Sequence, residues 1–350
     1  MEVDFLLIGQ GLAGTVLSYR LIKAGFKVHL IDKDEEGTSS KVAAGLYNPI
    51  TGRRMVKTWQ ADVLFPEIEP FYKEMESFLG KRFFFPVGIY RPFLSFEEQN
   101  EWLAKSADDR FEEYVGKIYT APRYPELHDG YGGLLLKKSG YLDIYSLMKH
   151  YQSWLKKEKL ITLGTESECG LTQKSGCWAF NGGRAKALVF ANGLGAGKNR
   201  YFNWLPFAPV KGEILTVKQP FETNEIINRG IFRINLSNGT ARVGSTYDRI
   251  DLTLDPTEKA KNELLEKLDE LMNAGSVSVI DHQVGIRPAT VDRRPFLGKH
   301  PEFENVYLFG GFGAKGVSLA PYYSREMVKL LTLNEEPQKE VNIIRFFKYI

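Results

Sequence analysis

Gly9-Gln10-Gly11-Leu12-Ala13-Gly14 sets three glycines where a turning chain can hold a phosphate, and an acidic residue, Asp32, follows downstream. The first glycine permits a tight turn, the second lets backbone approach a pyrophosphate, and the third lets helix and strand pack closely. Such a site needs a strand before the turn and a helix after it, so that the free amides and positive dipole end of the helix face the phosphates. The sequence predicts both. Residues 3–8 read as an apolar strand, 13–24 as an amphipathic helix, and 27–32 as a second strand that ends in Asp32, where a carboxylate accepts ribose hydroxyls. This spacing establishes a dinucleotide site and leaves FAD and NAD open.

Other chemistries find less support. His29, His128, His150, His282 and His300 show no metal-like or triad-like spacing, so no metal is expected, and His282 reads as structural although it is close to Arg287. Cys169 and Cys177 flank an expected hairpin around Lys174-Ser175-Gly176 and read as two free thiols. With no export signal and no membrane span, they suggest a cytoplasmic setting. A net charge of +3, with basic and acidic residues intermixed, gives no nucleic-acid footprint and favours a small-molecule substrate.

The elements that must position these residues alternate in character along the chain. Helical spacing at Leu64, Ile68, Phe71, Met75 and Phe78 predicts a helix that Pro66 and Pro70 confine to its later part. Short aromatic and β-branched runs over 83–136 read as a different layer, with one helix capped by a Ser95–Glu98 box. A helix behind Asp143, strands to Ala191, and a strand-rich stretch over 214–246 follow. The next helix is expected to start with Asp255 as N-cap and Pro256 at its first position. A last strand, a glycine cluster and a helix from about Leu319 close the pattern.

Six pieces, in order, resemble the D-amino acid oxidase superfamily of flavoproteins, which includes glycine oxidase, sarcosine oxidase and D-amino acid dehydrogenases. They are the Gly9 turn, Val42-Ala43-Ala44-Gly45-Leu46, Leu188-Val189-Phe190-Ala191-Asn192-Gly193, Pro209-Val210-Lys211-Gly212-Glu213, Gly285-Ile286-Arg287-Pro288 with Asp292 and Pro295, and Gly310-Gly311-Phe312-Gly313-Ala314-Lys315-Gly316 leading into Ala320-Pro321. The resemblance implies an α/β fold: a Rossmann-type FAD-binding domain from 1–80, 140–208 and 283–350, with an interleaved antiparallel β-sheet substrate domain from 81–139 and 209–282. The implied cofactor is non-covalent FAD, contacted by Gly9, Gly11, Leu12, Ala13, Gly14, Asp32, Lys33, Ala43, Ala44, Gly45, Leu46, Ser167, Ala191, Asn192, Gly193, Gly313, Ala314, Lys315, Gly316 and Val317.

The resemblance also assigns roles at the substrate. Arg287 would grip a substrate carboxylate at two points, a task suited to guanidinium geometry. Lys315 would add positive charge near the flavin. Phe232 and Ala314 stand where glycine oxidase has a carboxylate-binding tyrosine and a second arginine, and Tyr247 is the candidate to restore a hydroxyl. The expected activity is FAD-dependent oxidation of the C–N bond of an amino acid or related amine, with oxygen or a quinone as electron acceptor and the oligomeric state left open. Two alternatives stand beside it. Gly45-Leu46-Tyr47-Asn48-Pro49 resembles a segment of flavin enzymes that oxidise a carboxymethylaminomethyl group on a tRNA wobble base. The other alternative is a flavin-binding protein without turnover.

Overall fold

The structure, a computed structural model, describes every residue of the chain except 53, 54, 175, 274 and 350. The first strand, β1 (Glu2–Ile8), carries the run Phe5-Leu6-Leu7-Ile8, buried on both faces as the centre of a parallel sheet requires. Behind the glycine turn comes helix α1 (Leu12–Lys23), and then the strand β2 (Val28–Asp32). β1 pairs in parallel with β2 on one side and with Gly183–Phe190 on the other. Val306–Gly310 pairs in parallel beyond Gly183–Phe190, and Ile161–Leu163 beyond β2. Helices α1 and Gly316–Leu333 pack together against this sheet, joined by Ala61–Leu79.

A second eight-stranded sheet runs Ser278–Arg287, Val210–Lys218, Ala241–Gly244, Ile231–Asn235, Ile226–Arg229, Ile89–Pro92, Gly133–Leu136 and Val115–Tyr119. Its neighbours pair antiparallel except Ile226–Arg229 with Ile89–Pro92, the parallel seam at which two remote stretches of sequence meet. Ser278–Arg287 runs unbroken across residue 283, so a boundary there falls inside a strand of this sheet.

The local expectations fare differently. The Ser95 hydroxyl accepts from the amide of Glu98 at 3.3 Å and Asp143 accepts from that of Ser146 at 3.0 Å, as read from sequence. The helix Ala61–Leu79, by contrast, runs straight through Pro66 and Pro70. Both prolines are exposed, so the carbonyls they leave without a donor face water. The helix expected to begin behind Asp255 begins instead at Glu258, with the Thr257 hydroxyl accepting from Ala260 N at 3.2 Å. The Asp255 carbonyl is taken by the ammonium of buried Lys211 at 2.7 Å, a long-range contact that holds Asp255 outside the helix. In the expected hairpin Lys174 pairs with Cys177, while Ser175 lies outside the described residues. Cys169 and Cys177 are both free thiols.

His29, on β2, gives the parallel sheet a measurable acid sensitivity. Its ring is buried, stacks on Phe180 with centroids 5.1 Å apart, and has Nε2 2.8 Å from the Thr162 hydroxyl. Burial lowers its pKa from an ordinary 6.5 to about 4. The unfolded chain therefore takes up a proton below pH 6.5 that the folded chain refuses until pH 4, so stability attributable to neutral His29 is lost as pH falls through that window. His29→Gln is expected to flatten the drop in Tm between pH 7 and pH 4.5. An unchanged drop would place the acid sensitivity elsewhere.

Candidate active site

Gly9, with φ of +103°, turns the chain out of β1 in a conformation that side chains rarely adopt. A Cβ on Gly14 would stand 1.8 Å from the Gly9 carbonyl, so only glycine lets α1 start this close to the turn. Gly11 is the N-cap and provides no side-chain cap, leaving amides of the first turn of α1 without an intrahelical acceptor. Asp32 accepts from Gln10 N at 2.7 Å through one carboxylate oxygen and from Asp34 N at 2.8 Å through the other. These bonds hold the carboxylate at the end of β2, beside the turn.

A cavity of about 610 Å³ runs from this turn to the C-terminal glycine loop. Its wall brings together most of the residues singled out from sequence: Gly9, Gly11, Leu12, Ala13, Asp32, Lys33, Ala43, Ala44, Gly45, Leu46, Ala191, Asn192, Gly193, Arg287, Gly313, Ala314, Gly316 and Val317. Gly14 stands behind the turn, and Ser167 lies off the wall, where its neighbours Gly164 and Glu166 take part instead. Lys315 and Tyr247 also lie off it.

The wall suits a dinucleotide carrying a flat ring system. Asn192 Oδ1 is buried without a hydrogen-bond partner among the described residues, an open acceptor at the end of Gly183–Phe190. Gly45, with φ of +71°, could carry no side chain, because a Cβ would meet the Leu142 carbonyl at 1.9 Å. At the far end, Gly316 and Val317 open an 18-residue helix whose N-cap, Lys315, makes no side-chain cap bond. Both residues line the cavity, which therefore meets the positive end of the helix dipole. Loop 288–294 packs on this glycine segment, with the Gly313 amide donating to the Pro288 carbonyl at 3.1 Å. Desolvation first, then the charges of Arg294 and Arg293, draw the Lys315 ammonium below the ordinary lysine range.

Arg287 ends the strand Ser278–Arg287 and lies over Gly212, where a Cβ would come within 2.1 Å of Nη2. Nη2 donates to the Ser245 hydroxyl at 2.7 Å and to the Thr246 carbonyl at 3.1 Å, and Nη1 donates to the Lys211 carbonyl at 3.3 Å. Burial lowers its pKa from the ordinary arginine value, and a guanidinium still keeps its charge. Tyr247 is 60% exposed, with its hydroxyl accepting from Arg249 at 2.9 Å, and its ring stands 5.9 Å from the Arg287 guanidinium. Ser245, which sequence reasoning passed over, lines the cavity together with Phe232, Ile214 and Leu254. Its only sequence signal was its place inside Gly244-Ser245-Thr246.

On the neighbouring strand Val210–Lys218, on the face opposite Gly212, buried Lys211 bonds Asp251 at 2.5 Å, and buried Glu213 accepts from the amide and hydroxyl of Thr257 at 2.9 Å each. These charges fasten segment 248–257 to the sheet, and Leu254 of that segment reaches the cavity wall. His282 Nε2 stands 2.8 Å from Glu213, away from the cavity wall. Among the described residues no group of three or more His, Cys, Asp and Glu could hold a metal ion. Among them, too, no helix is long and apolar enough to cross a membrane.

Known proteins resemble this chain in sequence and in fold. Glycine oxidase of Pseudomonas aeruginosa is 22% identical over 372 residues, with 96% of each chain covered. The tRNA 5-methylaminomethyl-2-thiouridine biosynthesis bifunctional protein MnmC of Legionella pneumophila (strain Corby) is 24% identical over 396 residues, covering 98% of this chain and 55% of the relative. The chain thus spans about half the length of that protein. Among solved structures, glycine oxidase from Geobacillus kaustophilus superposes with a TM-score of 0.80 at 20% identity, covering 99% of this chain and 98% of that one. Iminodiacetate oxidase from Chelativorans gives 0.78 at 20% identity, with 98% of each chain covered. The profile of the FAD dependent oxidoreductase family matches residues 4–330. The chain therefore belongs to the FAD dependent oxidoreductase family and is an FAD-dependent enzyme of the D-amino acid oxidase type.

Proposed function

We propose that this enzyme oxidises the C–N bond of an amino acid or related amine that carries a carboxylate. The observation that carries the reading is Arg287, a half-buried cation without a carboxylate partner among the described residues, set in the wall of the cavity that begins at the dinucleotide turn. FAD, when bound, supplies the hydride acceptor. The chain's own part is to bind and orient. Arg287 holds the carboxylate so that the α-carbon faces the flavin, Phe232 and Ile214 keep water from the reacting face, and the amides of Gly316 and Val317 face the growing negative charge. Lys315 adds its charge from the rim and Tyr247 shapes the approach to Arg287.

In this reading the parallel sheet, with residues 1–80, 140–208 and 283–350, holds FAD, and residues 81–139 and 209–282 cover the substrate. Ser167 lies near the adenine. The cofactor is non-covalent, a reading supported by the absence of Cys169 and Cys177 from the cavity wall. Oxygen or a quinone reoxidises it, and the two free thiols fit a cytoplasmic enzyme. Anaerobic mixing with D-amino acids, glycine, sarcosine and proline-like amines is expected to bleach the flavin absorption for at least one of them. A flavin that none of the panel bleaches would sink the reading.

A second reading is favoured by the Legionella relative, which matches 98% of this chain. The substrate would then be a carboxymethylaminomethyl group on a tRNA wobble base, again a carboxylated secondary amine. Salt-dependent retention of tRNA supports it, and no retention at low salt counts against it.

A further inference from the structure

Nη2 of Arg287 belongs to both of the paired N–H edges by which a guanidinium grips a carboxylate, and both of its hydrogens are engaged, by the Ser245 hydroxyl and the Thr246 carbonyl. One Nη1 hydrogen goes to the Lys211 carbonyl. Arg287 alone therefore offers an incoming carboxylate single N–H groups and no free two-point fork. The side chains expected from the family to supply a second point are absent, because Phe232 has no hydroxyl and Ala314 has no guanidinium. Tyr247 is 60% exposed and stands off the cavity wall.

Ser245 stands differently. Its oxygen lies 2.7 Å from Arg287 Nη2 and accepts from it, its side chain lines the cavity, and its own O–H has no acceptor among the described residues. A hydroxyl that accepts from a cation is polarised and becomes a better donor. We infer that Ser245 is a substrate-binding residue: its hydroxyl donates to one oxygen of the substrate carboxylate while a remaining N–H of Arg287 donates to the other. This mixed clamp rests on the proposed oxidation of a carboxylated amine, and it replaces the tyrosine hydroxyl that Phe232 lacks. Arg287, fixed by three protein acceptors, does not have to reorganise when the ligand arrives.

The test compares wild type, Ser245→Ala and Ser245→Thr on the carboxylated amine that bleaches the flavin best and on the same amine without its carboxylate. Ser245→Ala is expected to raise the KM ratio of the carboxylated to the decarboxylated amine about tenfold or more, the size of a lost hydrogen bond to a charged group, with a much smaller fall in kcat. Ser245→Thr, which keeps the hydroxyl, is expected to restore most of that ratio. Acetate affinity, read from the perturbation of flavin absorption, should fall in parallel. It should fall again when Ser245→Ala is added to Arg287→Met, where no guanidinium remains to be positioned. A KM ratio unchanged in Ser245→Ala, no rescue by threonine, or no further loss in the Arg287→Met background overturns direct donation by Ser245 and leaves the wider reading standing. A wild type that oxidises no carboxylated amine overturns both.

Discussion

Replacing Arg287 by methionine is expected to lower kcat/KM for a carboxylated amine by about a hundredfold or more, because truncating one partner of a buried, hydrogen-bonded charge pair costs about 2–5 kcal/mol. Methionine keeps much of the volume over Gly212 and removes every N–H. The loss should appear mainly in KM, since the contact is made before the reaction as well as during it. FAD content, read as the ratio of visible to ultraviolet absorption, should stay at the wild-type value, because the dinucleotide turn and the C-terminal glycine loop are untouched. A variant that keeps its activity would show that Arg287 serves the turn at Ser245 and Thr246 rather than the substrate. A variant that loses FAD as well would assign it to the cofactor.

The second large effect concerns the other end of the cavity. Gly14→Ala puts a methyl group 1.8 Å from the Gly9 carbonyl, a backbone atom that moves only with the whole turn. Overpacking of this kind costs about 1–3 kcal/mol and sometimes more. The expected product is a folded but colourless protein, purified without a flavin spectrum and with a lowered Tm that added FAD restores only in part. Full FAD occupancy in Gly14→Ala would mean that the turn relaxes at no cost and that the glycine spacing is not what secures the cofactor.

The parts of this enzyme that could be read from its sequence are those whose geometry is local. The Gly9 turn, Asp32 and the C-terminal glycines carry their reasons within a few residues, and they meet in one cavity wall. What could not be read depends on contacts made far away. Pro66 and Pro70 signal a break to any local rule, yet both face water, and the helix runs on. Asp255 and Pro256 form a sound helix start, but buried Lys211, some forty residues earlier, takes the Asp255 carbonyl and leaves the cap to Thr257. Tyr247 and Ser245 illustrate the same limit at the site itself. The chain leaves its strand at Gly244, so alternation no longer tells which side chain turns inward, and the serine rather than the tyrosine reaches Arg287.

The order of strands in the parallel sheet also bears on how the enzyme acquires its colour. β1 finds its neighbour in Gly183–Phe190, and Gly183–Phe190 finds its own in Val306–Gly310, so the wall that begins at Gly9 is completed only by residues close to 317. Pairings of such long sequence separation form late and slowly. On the ribosome, the turn at Gly9 therefore waits for residues some three hundred positions downstream, and the flavin site is assembled only after the helix Gly316–Leu333 has emerged.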